Sequence, residues 1–532
     1  MFAKVRLAAL GLLATLMTTA AAADCDATPG VERFARSGWG FGERNLRFQP
    51  DTGIDRSNVQ TLELAWAIAL DGGMSPHSYP LVTEDTVFIG TPAGTLFALE
   101  RDSGCVRWKR EFRNAIRTAV IHAEIGDEAR LVFGTGDGWV IAADAITGEQ
   151  LWETEVRDHP HGIVTGTPLY HEGRVYAPVS SYELAVAMDA MYECCTFRGS
   201  LVALDAAAGT MLWRRHTIAE APEVTGRHYV VVKEWGPSGT PIWSAPTIDA
   251  ATGLLYVGTG ENYTAPATPT SDAIMAMRND DGEIVWTEQF TANDTFNMAC
   301  LIPDHPSCPE EVGPDYDFGA PPVLARTTGG EQILLAGQKS GGVYAMKPES
   351  GERLWTLQLG RGGHLGGVHW GMAVNESLGL LYVPISDRPL GPAASDESLP
   401  GLHALEIQTG AVRWSVINPD RCKGRQGCDP GISAAIVATP DLVFAGSLDG
   451  LVSAYDARTG EVAWSYDTWR RFNSVNGAMA GGGSIDVHGP MVAGDMLLVQ
   501  SGYGQHGQAG GNALLAFRLP NLAADAQRVS PE

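Results

Sequence analysis

The stretch Leu201-Val-Ala-Leu-Asp-Ala-Ala-Ala-Gly-Thr-Met-Leu-Trp213 contains a spacing, Ala-x5-Gly-x3-Trp, that recurs along the chain. An internal repeat of fixed length has to be interpreted before any other feature, because it determines the architecture. The spacing never varies in its seven copies, which are Ala98/Gly104/Trp108, Ala142/Gly148/Trp152, Ala203/Gly209/Trp213, Ala276/Gly282/Trp286, Ala345/Gly351/Trp355, Ala404/Gly410/Trp414 and Ala454/Gly460/Trp464.

Each copy consists of an apolar strand, a tight turn and a second strand that ends in Trp. The Gly supplies the positive φ that such a turn needs, and alternating side chains on either side are typical of half-buried antiparallel strands. Further strand-like runs lie between the copies, so that each unit is a four-stranded meander of about 40 to 70 residues, the size of a propeller blade. We expect the tryptophans to pack between neighbouring blades.

An eighth copy is divided between the two ends of the chain. Ala516 has no Trp after it, and Trp66 has no Ala and Gly before it. The sequence therefore predicts an all-β fold, an eight-bladed β-propeller whose last blade is closed by N- and C-terminal strands. Little helix is expected.

The N-terminus has the composition of a secretory signal. Lys4 and Arg6 precede an apolar run, and Ala21-Ala-Ala23 forms a small-residue cleavage site. We predict a signal peptide over 1–23, a periplasmic location and one propeller domain over 24–532. A lipoprotein is the alternative, because Cys25 follows closely, but Asp24 does not suit the residue before a lipid-modified Cys. No later stretch is long and apolar enough to span a bilayer.

The formal net charge of the chain is −25. Such a charge repels nucleic acid and argues against a nucleic-acid-binding function. It suits a basic protein partner, and it equally suits the simple solubility of an exported protein.

The eight cysteines form an even set in an exported chain. Short loops favour the pairs Cys300–Cys308 and Cys422–Cys428, which leaves Cys25 with Cys105. The adjacent Cys194 and Cys195 either form a disulfide with each other or are paired elsewhere or free. A ring between neighbours strains the backbone, and such strain tends to be retained at functional sites.

Together with the tryptophan repeat, the blade count and the signal peptide, four polar segments carry a resemblance to a known family. The chain resembles the pyrroloquinoline quinone (PQQ) dependent alcohol dehydrogenases, and looks most like the polyvinyl-alcohol dehydrogenase branch, without its haem c domain. The resemblance implies that alcohols, secondary or polymeric, are oxidised to ketones by hydride transfer to metal-bound PQQ, assisted by an Asp base. The segments are Cys194-Cys-Thr-Phe-Arg-Gly-Ser-Leu-Val-Ala-Leu-Asp205, Gly258-Thr-Gly-Glu-Asn-Tyr263, Gly313-Pro-Asp-Tyr-Asp-Phe-Gly-Ala320 and Ala336-Gly-Gln-Lys-Ser-Gly341.

The resemblance also implies a metal site. Glu183 and Asn262 stand where the family places oxygen ligands, which suit a hard cation such as Ca²⁺. Asp315 stands at the position of the catalytic base, and Asp317 at that of an additional ligand. Either aspartate could be the base and either could bind the metal; two acids at the metal would also suit a lanthanide.

For PQQ itself the family implies a stacking Trp and polar groups around the ring. Trp243 matches the stacking residue, and Lys339 matches a basic residue that contacts the quinone oxygens. The remaining candidates for cofactor binding are Thr165, Ser180, Arg117, Cys194 and Cys195; the two cysteines are expected to cover the quinone, and His77 stands where many members have Glu.

The sequence contains no Cys-x-x-Cys-His motif and therefore no site for a covalently attached c-type haem. Electrons would leave to a separate periplasmic cytochrome c. Two alternatives remain: a non-catalytic scaffold of outer-membrane protein assembly, and a propeller hydrolase or lyase that uses the same acids without a quinone. Insertions at 220–239, 265–270 and 292–312 are expected to shape the substrate entrance.

Overall fold

The computed structural model describes residues 25, 28–29, 34–35 and 38–520. The predicted signal peptide, 1–23, lies outside the described residues. Within them, eight antiparallel sheets of four principal strands succeed one another along the chain. The predicted eight-bladed β-propeller is confirmed.

The first four blades share one plan, in which the first three strands are mostly buried and the fourth is mostly exposed at the outside. Blade 1 gains a short extra strand at Phe34–Ala35, and blade 3 gains one at Gly162–Ile163. The strands of blade 1 are Leu81–Thr83, Thr86–Gly90, Thr95–Glu100 and Val106–Glu111; of blade 2, Ile121–Ile125, Glu128–Gly134, Trp139–Asp144 and Gln150–Glu155; of blade 3, Leu169–His171, Arg174–Ser181, Ser200–Asp205 and Met211–His216; of blade 4, Thr247–Asp249, Leu254–Gly258, Ala273–Arg278 and Ile284–Gln289.

The other four blades follow the same plan, and blade 8 is assembled from both ends of the described chain. The strands of blade 5 are Val323–Arg326, Gln332–Gly337, Gly342–Met346 and Arg353–Gln358; of blade 6, Ala373–Asn375, Leu380–Ile385, Gly401–Glu406 and Val412–Ile417; of blade 7, Val437–Ala438, Leu442–Gly446, Leu451–Asp456 and Val462–Asp467; of blade 8, Pro490–Ala493, Met496–Ser501, Ala513–Arg518 and Glu63–Ala69.

Blade 8 closes the ring. Its outer strand, Glu63–Ala69, pairs with the C-terminal strand Ala513–Arg518, and Trp66 lies opposite Ala516. The same Ala–Trp register joins the two strands in each of the other blades, for example Ala345 opposite Trp355. The predicted division of the eighth copy between the chain ends is therefore confirmed.

The glycine of each copy receives the tryptophan of the preceding blade. A Cβ built on Gly351, where φ is +74°, would lie 2.7 Å from the Trp286 ring. Gly104 meets Trp66 and Gly410 meets Trp355 in the same way. In several blades the indole N–H also donates to a backbone carbonyl of the next blade, as from Trp286 to Pro348 at 3.0 Å. The predicted packing of the tryptophans between blades is confirmed.

A segment before the first blade crosses one end of the ring, where residues 43–53 contact blades 4 to 8 in succession. Its backbone bonds join Glu43 to Ile248, Arg44 to Leu324, Leu46 to Val374, Arg47 and Gln49 to Ala438, and Gly53 to Gly494.

The remaining elements are short and lie in the connections between strands. They are the hairpins Glu223–His228/Val232–Gly236, Ser238–Gly239/Asn262–Thr264 and Arg471–Asn473/Met479–Gly481, the α-helix Glu183–Val186, and the 3-10 helices Val59–Thr61 and Met298–Leu301. Among the described residues, helices with the length and apolar character for a membrane crossing are absent.

The cysteine pairing follows the predicted pattern. Disulfides join Cys25 to Cys105, Cys300 to Cys308 and Cys422 to Cys428. Cys194 and Cys195 are bonded to each other, which resolves the alternative left by the sequence.

The contact between tryptophan and glycine predicts a measurable difference between two Gly→Ala substitutions. Gly330→Ala places an Ala at φ +87° with nothing within 4 Å of the new Cβ, and should cost about 1–2 kcal/mol of unfolding free energy from backbone strain alone. Gly351→Ala adds a clash with Trp286, for which overpacking costs about 1–3 kcal/mol more. Guanidinium unfolding of both variants measures the difference, and equal losses would contradict interblade packing at this position.

Candidate active site

Blades 4 and 5 place four ionisable side chains at one end of the propeller. Glu261 comes three residues after the strand Leu254–Gly258 of blade 4. Asp315 and Asp317 lie in the segment that leads into the first strand of blade 5, and Lys339 comes two residues after its second strand, Gln332–Gly337. All four residues are buried, and they meet because the two blades are neighbours in the ring.

The three carboxylates form one compact cluster. A ligand oxygen from each of Glu261, Asp315 and Asp317 lies within 4.8 Å of the others. Lys339 Nζ donates to Asp315 Oδ1 at 2.7 Å and to Asp317 Oδ2 at 3.0 Å. The backbone N–H of Glu261 donates to Asp317 Oδ1 at 3.0 Å. The cluster therefore holds three acids and a single lysine in direct contact.

The electrostatics of the cluster are unbalanced. Burial, and then the charges of Asp317 and Asp315, raise the pKa of Glu261 well above its usual value. Burial also raises the pKa of Asp315, against the effect of Lys339. Asp317 is different: burial opposes its ionisation, but Lys339 and the hydrogen bonds from Glu261 hold its pKa below the usual value. Lys339 stays charged, because the two aspartates raise its pKa despite burial.

Lys339 alone does not balance three carboxylates. If all three were ionised, the cluster would carry a net charge of about −2 in a buried volume, and buried charge of that size is offset by protons or by a cation. Carboxylate oxygens are the ligands that Ca²⁺ and related hard cations prefer. The donor set of the cluster therefore fits such a cation.

The backbone at Asp315 is held in an uncommon conformation by a second acidic pair. Asp315 has φ +60°, in the left-handed region. The carboxylate of Asp294 accepts from the N–H of Asp315 at 3.1 Å and from that of Tyr316 at 2.9 Å. Behind it lies the fully buried Asp272, and burial together with Asp294 raises the pKa of Asp272 well above its usual value. Asp294 thus fixes the direction in which Asp315 points.

Trp243 forms a flat, half-buried surface beside the cluster. Its Nε1 donates to Asp317 Oδ2 at 3.1 Å, and Lys339 Nζ lies 5.8 Å from its ring centroid. Gly319 lies against the ring, since a Cβ there would be 1.9 Å from a Trp243 carbon. Trp370 supports the indole edge-on, with ring centroids 5.1 Å apart. The ring is therefore locked in place.

Several polar groups near this surface have no partner within the described structure. They include the buried hydroxyls of Ser180 and Ser244 and the Nε of Arg117. Backbone contacts bring these segments together: Ile242 N donates to Val179 O, and a Cβ on Gly166, beside Thr165, would meet Ser244 O. Unpaired buried polar atoms are uncommon in native proteins, and such a group calls for a ligand, water or ion.

Arg117 is held from two sides. Its NH2 lies 3.3 Å from His77 Nε2, and its backbone carbonyl lies 2.7 Å from His77 Nδ1. Its guanidinium lies 5.5 Å from the ring centroid of Tyr182. His77 is buried, and burial followed by the charge of Arg117 lowers the pKa of the imidazole well below its usual value. His77 is thus a neutral support for a cationic neighbour.

Two predicted metal ligands are not part of the cluster. The Asn262 amide donates to Ser238 O at 3.0 Å and accepts from Thr268 N at 2.7 Å, so that it holds the following loop. Because successive residues of an extended segment point to opposite sides, the side chain that reaches the acids is that of Glu261. The Asn262 amide is thus engaged by the loop, and its role as a metal ligand stays a prediction, while Glu261 is the residue that meets the two aspartates.

Glu183 is engaged by the loop that carries the paired cysteines. Its carboxylate accepts from Thr196 N at 2.9 Å, Phe197 N at 2.8 Å and the Tyr192 hydroxyl at 2.9 Å. His159 Nε2 lies 3.3 Å from the same carboxylate. Glu183 thus anchors the chain just after Cys195, and its role as a metal ligand stays a prediction.

Cys194 and Cys195 are both buried in that loop. The carbonyl of Cys194 accepts from Trp235 N at 2.9 Å, which ties the pair to the hairpin Glu223–His228/Val232–Gly236. The contact of the disulfide with a quinone likewise stays a prediction.

Family models match two parts of the chain. The model described as "Glucose/ethanol/alcohol dehydrogenase, beta-propeller domain", a PQQ domain, matches residues 37–310. A second model, "Outer membrane protein assembly factor BamB", matches residues 395–518, which include blade 7 and the C-terminal strands of blade 8.

Curated relatives and solved structures agree with the first model. The chain is 39% identical to a polyvinylalcohol dehydrogenase of a Pseudomonas species, over 91% of this chain and 76% of the relative. It is 38% identical to that of Sphingopyxis sp. strain 113P3, with the same coverage of both chains. Two structures share the fold: the quinohemoprotein alcohol dehydrogenase of Comamonas testosteroni (18% identity, 91% and 80% coverage, TM-score 0.65) and a europium-containing methanol dehydrogenase (17%, 91% and 98%, TM-score 0.67).

Family model, relatives and fold thus agree with a buried acidic cluster beside a locked Trp: the chain belongs to the PQQ-dependent alcohol dehydrogenases, and it is similar to two polyvinylalcohol dehydrogenases.

Proposed function

We propose that this enzyme oxidises secondary or polymeric alcohols of the polyvinyl-alcohol type to ketones. The observation that carries the proposal is the contact of Asp315 with Lys339 beside Trp243, in a chain 38–39% identical to two polyvinylalcohol dehydrogenases. PQQ, when bound, supplies the two-electron acceptor for the hydride of the alcohol carbon. Trp243 would support the flat cofactor from one face, and the free hydroxyl of Ser180, with Thr165, Arg117 and Lys339, would hold its edge.

In the proposed reaction, Asp315 removes the proton from the alcohol hydroxyl. The carboxylate of Asp294 accepts from the N–H groups of residues 315 and 316 and so fixes the orientation of Asp315. Lys339 donates to both aspartates and favours their ionised forms, and Asp317, which also accepts from Trp243 Nε1 and from the Glu261 N–H, is less free to act as a base. The arrangement supports proton removal by Asp315 and metal binding by Asp317 together with Glu261.

The proposed cation is Ca²⁺, with a trivalent lanthanide as the alternative that three carboxylates also suit. Asp315 can contribute an oxygen to either ion, and Glu183 remains a further proposed ligand. Elemental analysis of the purified holoenzyme separates these cases: one Ca²⁺ per chain and no rare earth removes the lanthanide.

The proposed location is the periplasm, after removal of residues 1–23. N-terminal sequencing of the secreted chain should begin at Asp24. A separate cytochrome c is the proposed electron acceptor, and the net charge of −25 suits a basic partner.

The match of residues 395–518 to an assembly factor keeps a scaffold function as the second candidate. That match lies outside blades 4 and 5, which carry Glu261, Asp315, Asp317 and Lys339. A scaffold has no need for these four buried charges. Purified mature protein that gains dye-linked alcohol oxidation only when both PQQ and Ca²⁺ are added supports the enzyme, whereas a failure to bind PQQ favours the scaffold.

Asp315→Asn should lower kcat by at least about a hundredfold, the usual contribution of a general base, while PQQ remains bound. The Asn keeps the size of the side chain but cannot take the proton. Dye-linked turnover and PQQ absorbance of the reconstituted variant measure both effects. Asp280→Asn, on an exposed turn, is the matched control. Retained turnover in Asp315→Asn would move the base to Asp317.

Glu261→Gln should weaken metal binding about tenfold or more, because it removes one carboxylate from the cluster. Titration of the apoprotein with Tb³⁺, read by luminescence sensitised by nearby tryptophan, reports the affinity without any turnover. Asn262→Ala is the neighbouring comparison: it should lower the unfolding midpoint and leave the Tb³⁺ affinity within about twofold. The reverse pattern would assign the ligand role to Asn262 and count against Glu261.

A further inference from the structure

The three insertions singled out in the sequence meet at one cleft. It has a volume of about 750 Å³, within the range of about 300–1,000 Å³ that small-molecule sites occupy. Its walls are the hairpin Glu223–His228/Val232–Gly236, the loop 264–267 and the loop 306–311, and Cys194 also lines it. The lining residues are Cys194, Thr225, His228, Glu234, Trp235, Thr264, Ala265, Pro266, Ala267, Asn293, Thr295, Pro306, Ser307, Cys308, Pro309, Glu310 and Glu311.

The cleft and the acidic cluster share a wall. Asn293 and Thr295 line the cleft, while Asp294 between them binds the backbone N–H of Asp315. Thr295 also pairs with Asn262, the residue after Glu261. A molecule in the cleft would therefore contact the same segment, 293–295, that holds the backbone of Asp315.

The walls are held in place by bonds that do not involve a ligand. Trp235 N donates to Cys194 O, and His228 Nε2 lies 2.8 Å from Ala190 O. The disulfide Cys300–Cys308 fixes the third wall. A site that is formed before binding loses less conformational entropy on binding, which favours affinity.

The walls of the cleft carry both hydrogen-bond acceptors and flat apolar surface. The carboxylates of Glu234, Glu310 and Glu311 can accept from hydroxyl groups, and charged acceptors make the stronger hydrogen bonds. The indole of Trp235 and the ring of Pro309 offer apolar surface to methylene groups. A chain that alternates hydroxyl-bearing carbons with methylenes matches both.

We propose that this cleft binds the segment of a polyhydroxylated polymer adjoining the alcohol that is being oxidised. The inference rests on the proposed function, since it assigns the polymer a second site beside the reacting group. It makes the insertions 220–239, 265–270 and 292–312 the parts of the chain that distinguish a polymer from a small alcohol.

Trp235→Leu is the first test. The ratio of kcat/KM for poly(vinyl alcohol) to kcat/KM for 2,4-pentanediol should fall about tenfold, because only the polymer extends into the cleft. Trp469→Leu is the matched control. Trp235 and Trp469 are both half-buried beside a basic side chain, Lys233 at 5.5 Å and Arg425 at 4.1 Å from the respective ring centroids, but Trp469 does not line the cleft, and its ratio should stay within about twofold of the wild type.

The double variant Glu310→Gln, Glu311→Gln is a second test that should not disturb folding, because both side chains are exposed. The same ratio should fall about threefold. Unchanged ratios in this variant and in Trp235→Leu would overturn the inference while leaving alcohol oxidation intact.

A calorimetric titration of the wild type and Trp235→Leu with short poly(vinyl alcohol), without PQQ, separates the inference from the proposed function. Binding that weakens in Trp235→Leu supports the cleft even if turnover fails. Equal binding by both proteins, or none by the wild type, counts against it.

Discussion

The contact of a tryptophan with the glycine of the next blade is the constraint on which the rest of the structure depends. A side chain on Gly351 would overlap the Trp286 ring, so the turn and the ring fix how closely two blades approach. Pairing of Glu63–Ala69 with Ala513–Arg518 then closes the ring. Because the distance between each pair of neighbouring blades is fixed, blades 4 and 5 cannot separate, even though carboxylates from the two blades meet between them.

The acidic cluster uses that rigidity. Three buried carboxylates with one lysine would repel one another in a softer scaffold, and buried ion pairs add little net stability because desolvation offsets their attraction. The shifted pKa values of Glu261, Asp315 and Asp317 are typical of functional sites. Lys339 binds both aspartates, while Asp294 grips the backbone of Asp315 from behind. These contacts within the chain hold the two aspartates in place.

The sequence predicts the fold almost completely, because one spacing repeated seven times, with Trp66 and Ala516 as the eighth pair, encodes the interblade contact. It also predicts that Asp315, Asp317, Lys339 and Trp243 meet. It misses Glu261. Glu261 and Asn262 both follow the strand Leu254–Gly258, and which of the two side chains reaches the aspartates depends on the side of the segment that faces the neighbouring blade. The sequence does not predict the polar partners of Glu183 or the role of Asp294. These residues lie in connections between strands, which carry no repeat signal and whose conformation depends on contacts with distant parts of the chain.

Arg47, in the segment that crosses blades 4 to 8, is linked to the candidate site by a row of packed aromatic side chains. Arg47 is buried without a carboxylate, and its guanidinium donates to the carbonyls of Trp39, Ile436 and His488 and to the hydroxyl of Tyr79. Its charge lies 5.2 Å from the Trp39 ring; that ring lies 6.3 Å from Trp370, which supports Trp243. Trp243 is therefore connected to Arg47 by a continuous row of packed aromatic rings, and close-packed contacts of this kind transmit displacement.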